Sequence, residues 1–379
     1  MKYITFGKPS LYPNQIKEVN KVLKSGWLGT GPKSFEFEEK FSNFLNAKYS
    51  LSLSSCTAAL FLSLKYLKIG KGDEVITTPM TFCSTVNSIL HVGAKPVLVD
   101  INLETLNINE KEIEKNITKR TKAIIVVHFA GKMANIKTII KICKKHNIFV
   151  IEDCAHAIET KLNNKHAGTF GHFGCYSFYV TKNITTGGEG GMIVGKNKKS
   201  IDHIRKLSLH GMSKDAWKRF GGNKYKNYNI VESGYKFNMT DIQASIGLIQ
   251  LKNIQRALKK RQKIWKTYIQ SFKNLPIQLP PESKKNEVNA CHLFTIVLKN
   301  NREKFLNYLH KNSIGAGIHY NSISSYSFYK NKVKNFKKMK ISNYVGKRIV
   351  SIPIYESLTK YEIKHIVNKI IKYFDQNSF

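Results

Sequence analysis

The chain has 379 residues, 42% hydrophobic and 23% charged, ordinary for two or three globular domains that bury full cores without disulfides or structural metal. Its formal net charge of +37 invites a nucleic-acid reading, but only seven basic residues are arginine and the lysines are scattered along the chain rather than gathered on one element, so specific nucleic-acid binding is not expected. The cysteines (Cys56, Cys83, Cys143, Cys154, Cys175 and Cys291) make no CxxC pair or metal-like spacing, residues 1–15 hold no apolar signal core, and no run approaches the ~18 apolar residues of a membrane span; a reducing cytoplasmic setting, with no metal and no membrane, is expected.

In chain order, apolar spacing predicts a helix over Ala58–Leu67, a short strand over Glu74–Thr77 ending at Pro79, a helix over Ser84–His91 and a strand over Lys95–Val99. The β-branched run Ala123–Val127 reads as a buried strand, Ile136–Lys145 as a helix and Ile148–Ile151 as another buried strand. Cys175–Val180 and Met192–Val194 are two more. Strands alternating with helices imply a mostly parallel sheet covered on both faces, with ligands beyond the carboxyl ends of its strands. Thr240–Phe272 reads as one or two long helices capped by Thr240 or Asp241. Beyond it, a smaller domain is expected: strand Cys291–Leu298, helix Arg302–Lys311, strand Gly317–Tyr320 and a final helix opened by a Thr359/Glu362 capping box. The expected division is residues 1–250, the large domain with its N-terminal segment, and residues 251–379, the small one.

Several residues carry chemistry by context. Asp153 ends an apolar strand, either as a turn residue or as a buried carboxylate facing a ligand. Lys182 follows a strand that also delivers Ser177, and precedes a loop with four glycines that lets backbone approach a ligand closely. A desolvated lysine there loses its proton easily, as a Schiff-base amine must. Small hydroxyl residues in Ser54–Leu60 stand just before an apolar helix, where they serve as N-caps, as a phosphate cradle, or both. Phe82 is a loop aromatic able to pack locally or to face a flat ring, and Asn238 precedes the long helix. Taken in order, these parts match what pyridoxal phosphate requires: an amine, a carboxylate for the pyridine nitrogen, a phosphate cup and a ring clamp.

The segments Ser25–Gly31 (SGWLGTG), Ser54–Leu60 (SSCTAAL), His128–Gly131 (HFAG), Glu152–Ile158 (EDCAHAI), Ser177–Gly191, Gly234–Gly247, His319-Tyr320 and Ser351–Tyr355 carry a resemblance to the DegT/DnrJ/EryC1/StrS sugar aminotransferases. The resemblance implies an α/β fold of the aspartate aminotransferase type, with a seven-stranded-type sheet in a large pyridoxal 5'-phosphate domain and a smaller C-terminal α/β domain. It implies that Lys182 holds the cofactor, Asp153 pairs with its ring nitrogen, His156 lies beside the ring and Phe82 stacks on it. Cys56, Thr57 and Ser177 match phosphate contacts, and Asn238 a phosphate ligand from the partner subunit of a homodimer with shared sites. Trp27, His319 and Tyr320 match motifs near the sugar pocket. The implied reaction moves an amino group from glutamate to a nucleotide-linked keto-sugar, a 4-keto-6-deoxyhexose, for amino-sugar and polysaccharide synthesis. Amination at the 3-position, sugar dehydration and a non-catalytic regulatory role are the rival readings. Relatives that dehydrate carry histidine in place of the lysine. The glycine loop is one residue longer than the commonest family form.

Overall fold

A computed structural model describes residues 2–213 and 228–377. Seven strands build the central sheet: β1 (Tyr49–Leu53), β2 (Glu74–Thr77), β3 (Lys95–Leu98), β4 (Thr121–Val127), β5 (Phe149–Asp153), β6 (Phe173–Ser177) and β7 (Gly191–Gly195). Their spatial order is β1-β7-β6-β5-β4-β2-β3, and only β7 runs against the others. β7 returns antiparallel because the glycine loop reverses the chain directly after Lys182, whereas each parallel step needs a crossover segment.

Both faces of the sheet are covered, as its long apolar runs require. One face packs on helices Pro32–Leu45 and Ile136–Lys145 through Phe37, Phe41, Ile136 and Ile139. The other packs on Cys56–Tyr66 and Lys198–Leu207 through Leu60, Leu64, Ile201 and Ile204. The predicted strands and helices of this unit all form, within a few residues of their expected ends. Helices Pro13–Ser25, Pro32–Leu45 and Lys198–Leu207 and strand β1 are among the elements additional to those expected from the sequence.

Helix Asp241–Phe272 is continuous over 32 residues, and the expected division at residue 250 falls inside it. Its N-cap is Thr240, whose hydroxyl accepts from Gln243 N–H while the Gln243 side-chain oxygen accepts from Thr240 N–H. The C-terminal unit has an antiparallel sheet of Ile277–Gln278, Phe294–Leu298 and Ile349–Ile352, packed on the end of the long helix and on Lys360–Gln376. Ile4 belongs to this core as well: it exchanges backbone hydrogen bonds with Ser313 and Gly315, so the N-terminal segment returns to the C-terminal unit. The strand expected over Gly317–Tyr320 does not form. Gly317 alone pairs with Ser351; beyond it the chain turns so that the His319 and Tyr320 side chains reach Ser351 and His156.

Candidate active site

Strand alternation separates two adjacent carboxylates at the end of β5. Glu152 points to one face, where its oxygens accept from the N–H groups of Gly168, Phe170 and Gly171 and meet His128 Nε2 at 3.0 Å. It is fully buried and fully occupied, so the His128–Glu152–Cys154 cluster is structural. Asp153 points to the opposite face, toward helix Cys56–Tyr66. Its Oδ2 accepts from Thr85 Oγ1 at 2.8 Å and its Oδ1 from Ala155 N–H at 3.1 Å. Burial pushes its carboxyl above the usual range; the two hydrogen bonds and the nearby Lys182 charge pull the other way. A carboxylate placed so is short of positive charge.

Lys182 supplies part of that charge. Loss of hydration brings its amine from 10.5 to about 8, against the opposing pull of Asp153 and Cys56. β6 and the turn Tyr179–Lys182, closed by Lys182 N–H donating to Tyr179 O, set its position. The loop that follows has Gly187 and Gly188 at φ +93° and +134°, where side chains are strained. At its end a Cβ on Gly191 would stand 2.3 Å from the Ser55 carbonyl carbon, so only glycine lets β7 begin against the Ser55–Thr57 turn.

That turn opens helix Cys56–Tyr66. The Ser55 hydroxyl caps it by accepting from Ala58 N–H, while the N–H groups of Cys56 and Thr57 have no carbonyl one turn back to bond within the helix. Ser177, at the end of β6 on the same sheet face as Asp153, stands nearby in the register and pairs with Gly191. Free N–H groups, a helix dipole and two hydroxyls suit a phosphate. Cys56 has a double position: its N–H belongs to the helix start, while its thiol lies 4.0 Å from Asp153 Oδ1 and burial keeps it protonated.

The site's outer wall comes from both units. Phe82, expected as the ring platform, is 58% exposed at the start of helix Cys83–His91, with its ring 6.2 Å from that of Tyr320. Tyr320 Oη lies 3.0 Å from His156 Nε2, and the two rings stack at 15°. His319 stacks on Phe6, and its Nδ1 lies 3.0 Å from Ser351 Oγ. A cavity of about 50 Å³ beside Lys182 is lined by His319, His292, Asn183 and Arg261, together with the N-terminal residues Phe6–Ser10. Asn238 pairs its backbone with Leu53, just before the phosphate-type turn, and its amide donates to Thr30 Oγ1 at 2.7 Å within the same chain. Trp27 packs in the same loop, its indole N–H donating to Thr30 O at 3.2 Å.

The donor set therefore fits pyridoxal phosphate: a lysine with an easily lost proton, a buried carboxylate short of positive charge, a capped helix start and an exposed aromatic. Four residues that matter to this geometry were not found from the sequence. Thr85 follows Thr81 by one helical turn and bonds it at 2.7 Å, a spacing that the TFCST run does show. Glu159, Arg261 and His292 come from three separate segments, and no local pattern links them.

The sequence signature of the DegT/DnrJ/EryC1/StrS aminotransferase family matches residues 9–371. The spore coat polysaccharide biosynthesis protein SpsC of Bacillus subtilis is 38% identical over 97% of this chain and 96% of its own. The Streptococcus pneumoniae protein Spr1654, solved in its pyridoxal-phosphate form, superposes with a TM-score of 0.91 at 30% identity, covering 99% of both chains. PseC of Helicobacter pylori, an aminotransferase in pseudoaminic acid biosynthesis, superposes at 0.90 with 30% identity, covering 99% of this chain and all of that one. The chain belongs to the DegT/DnrJ/EryC1/StrS family and is a pyridoxal-phosphate-dependent sugar aminotransferase.

Proposed function

We propose that the protein transfers an amino group from glutamate to a nucleotide-linked 4-keto-6-deoxyhexose, supplying an amino sugar for surface polysaccharide. The observation that carries the chemistry is Lys182 set against buried Asp153 at the carboxyl ends of the parallel strands. Pyridoxal phosphate, when bound, supplies an electron sink for the bonds at the donor α-carbon. Lys182 would hold the cofactor and, when its amine is free, would move the α-proton as base and then acid. Asp153 keeps the ring nitrogen protonated by opposite charge. The N–H groups of Cys56 and Thr57 and the Thr57 and Ser177 hydroxyls take the phosphate. Phe82 would stack on the ring and His156 would lie beside it. Trp27, His319 and Tyr320 bound the sugar pocket.

The sugar reading is supported by the family and by the roles of SpsC in spore coat polysaccharide biosynthesis and of PseC in pseudoaminic acid biosynthesis. The formal net charge of +37 supports an anionic nucleotide sugar, whose capture such a field accelerates. By family resemblance the protein works as a homodimer, with Asn238 serving the neighbouring phosphate, and it acts in the cytoplasm. No helix among the described residues is long and apolar enough to cross a membrane. Lysine at position 182, where dehydrating relatives carry histidine, favours amino transfer over dehydration. The test supplies 3-keto and 4-keto nucleotide sugars and simple 2-keto acids with glutamate, and follows 2-oxoglutarate release. Turnover of the 4-keto sugar is expected. Turnover of the 3-keto sugar alone refutes the position, and turnover of 2-keto acids alone refutes the sugar reading.

A further inference from the structure

We infer that Asn183 and His292 are positioning residues for Lys182, which they serve by turning an unprotonated imidazole nitrogen, His292 Nε2, toward the cavity that Lys182 lines. Arg261, on the long helix and only 3% exposed, pairs with fully buried Glu159. Glu159 Oε2 accepts from Asn183 Nδ2 at 2.7 Å, and the Ala290 carbonyl accepts from the same nitrogen at 3.2 Å. A carboxylate and a carbonyl only accept, so the amide of Asn183 can face them only with its NH₂ group. Its Oδ1 is then the atom 2.8 Å from His292 Nδ1, and that ring nitrogen must carry the hydrogen.

His292 is buried, and desolvation, followed by the charge of Lys182, holds it far below its ordinary pKa. A neutral ring protonated at Nδ1 has its lone pair at Nε2, and no hydrogen bond occupies that atom among the described residues. The neighbouring His156, whose ring centroid is 4.5 Å away, has the opposite tautomer. Ala130 N–H donates to its Nδ1 at 3.3 Å, leaving the proton on Nε2 for the Tyr320 oxygen. Two adjacent imidazoles thus hold opposite tautomers: His292 keeps a free acceptor at Nε2, while the Nε2–H of His156 is taken by Tyr320.

The negative end of the His292 dipole favours positive charge in the cavity and so opposes part of the desolvation that Lys182 suffers. The other titratable groups facing Lys182 are Asp153 and Cys56 from the sheet side, His156 from the β5 loop and His319 from the C-terminal unit. Asn183 directly follows Lys182 in the chain, so the same bonds that set the ring also anchor the lysine's backbone to the long helix.

The inference rests on Lys182 being the cofactor lysine, which borohydride reduction and peptide mapping test separately. Its own test uses the cofactor-free protein. Long-range ¹H–¹⁵N spectra of ¹⁵N-histidine-labelled protein are expected to show His292 protonated at Nδ1 and His156 at Nε2 at pH 7. The second measurement is the pH dependence of Lys182 acylation, read by peptide mapping. His292→Phe, which keeps a ring against His156, is expected to lower the apparent pKa of Lys182 by about half a unit, a threefold change in its ionisation constant. His292→Gln returns an oxygen acceptor and should restore it. A wild-type His292 ring protonated at Nε2, or a folded His292→Phe protein with an unshifted Lys182, overturns the inference. If His292→Phe does not fold, the wild-type spectrum decides alone. Borohydride label on another lysine refutes the Lys182 assignment and leaves the tautomer result standing.

Discussion

Burying an amine costs stability, and the cost can be measured before any catalysis. In the cofactor-free protein, Lys182→Met removes the charge while keeping a flexible chain of similar length. The folded-state pKa of Lys182 is about 8, against 10.5 for the free side chain. Below pH 8 the amine is charged in both folded and unfolded chains, and the fold bears the full cost. Between about 8 and 10.5 the unfolded chain binds a proton that the folded chain does not, so stability rises with pH. Above 10.5 the penalty is gone. At 1.36 kcal/mol per unit the ceiling is about 3 kcal/mol. Asp153 loses a neighbouring charge in the variant, which returns part of this, so a gain of about 1–2 kcal/mol is expected at pH 7. Urea denaturation of both proteins at matched concentration, at pH 7 and pH 10.5, checks it. The variant's higher midpoint should shrink toward zero at the upper pH. An equal advantage at both pH values, or a loss at pH 7, would refute a desolvated Lys182.

Asp153→Asn should keep the fold by circular dichroism yet lower turnover ~10- to 1000-fold, because opposite-charge pairing moves a pKa by about one to three units and the cofactor ring would lose that support. A near-normal rate would leave Asp153 as a strand-end residue. Thr85→Val removes a hydrogen bond that lowers the Asp153 pKa, so the acidic limb of the rate–pH profile should move to higher pH; an unmoved limb would mean that Thr85 does not tune the carboxylate. If the protein is a homodimer in which Asn238 serves the neighbouring site, mixing inactive Lys182→Ala and Asn238→Ala proteins should recover activity, since one site of each mixed dimer then has both native residues. No recovery after verified subunit exchange would place Asn238 in service of its own chain.

The sheet was legible in the sequence because its middle strands are apolar on both faces, and uninterrupted runs such as Ala123–Val127 have few alternative homes. β1 was not, since its serines at 50 and 52 break the apolar run; both are buried through hydrogen bonds with the Glu38 backbone and carboxylate. Gly317–Tyr320 has the residues of a strand, but two of its side chains bond to Ser351 and His156 and draw the backbone away from the ladder. At the site, Asp153 stood out because it ends a strand, and Lys182 because it lies between a strand and a glycine loop, each in a short motif. The Arg261–Glu159–Asn183–His292 chain draws on four segments, so only the folded chain brings it together.

The clasp between Ile4 and residues 313–315 also has a meaning in time. Residues 6–10, which help wall the cavity beside Lys182, follow directly from that clasp, yet its other half is some three hundred residues further along the chain. At a synthesis rate of ~5–20 residues per second, Ile4 waits roughly 15–60 s on the ribosome for its binding partner. The central sheet can close in that interval, since its last strand ends at Gly195. The cavity beside Lys182 is therefore among the last parts of the protein to be assembled, although residues 6–10 of its wall are made long before the C-terminal residues that complete it.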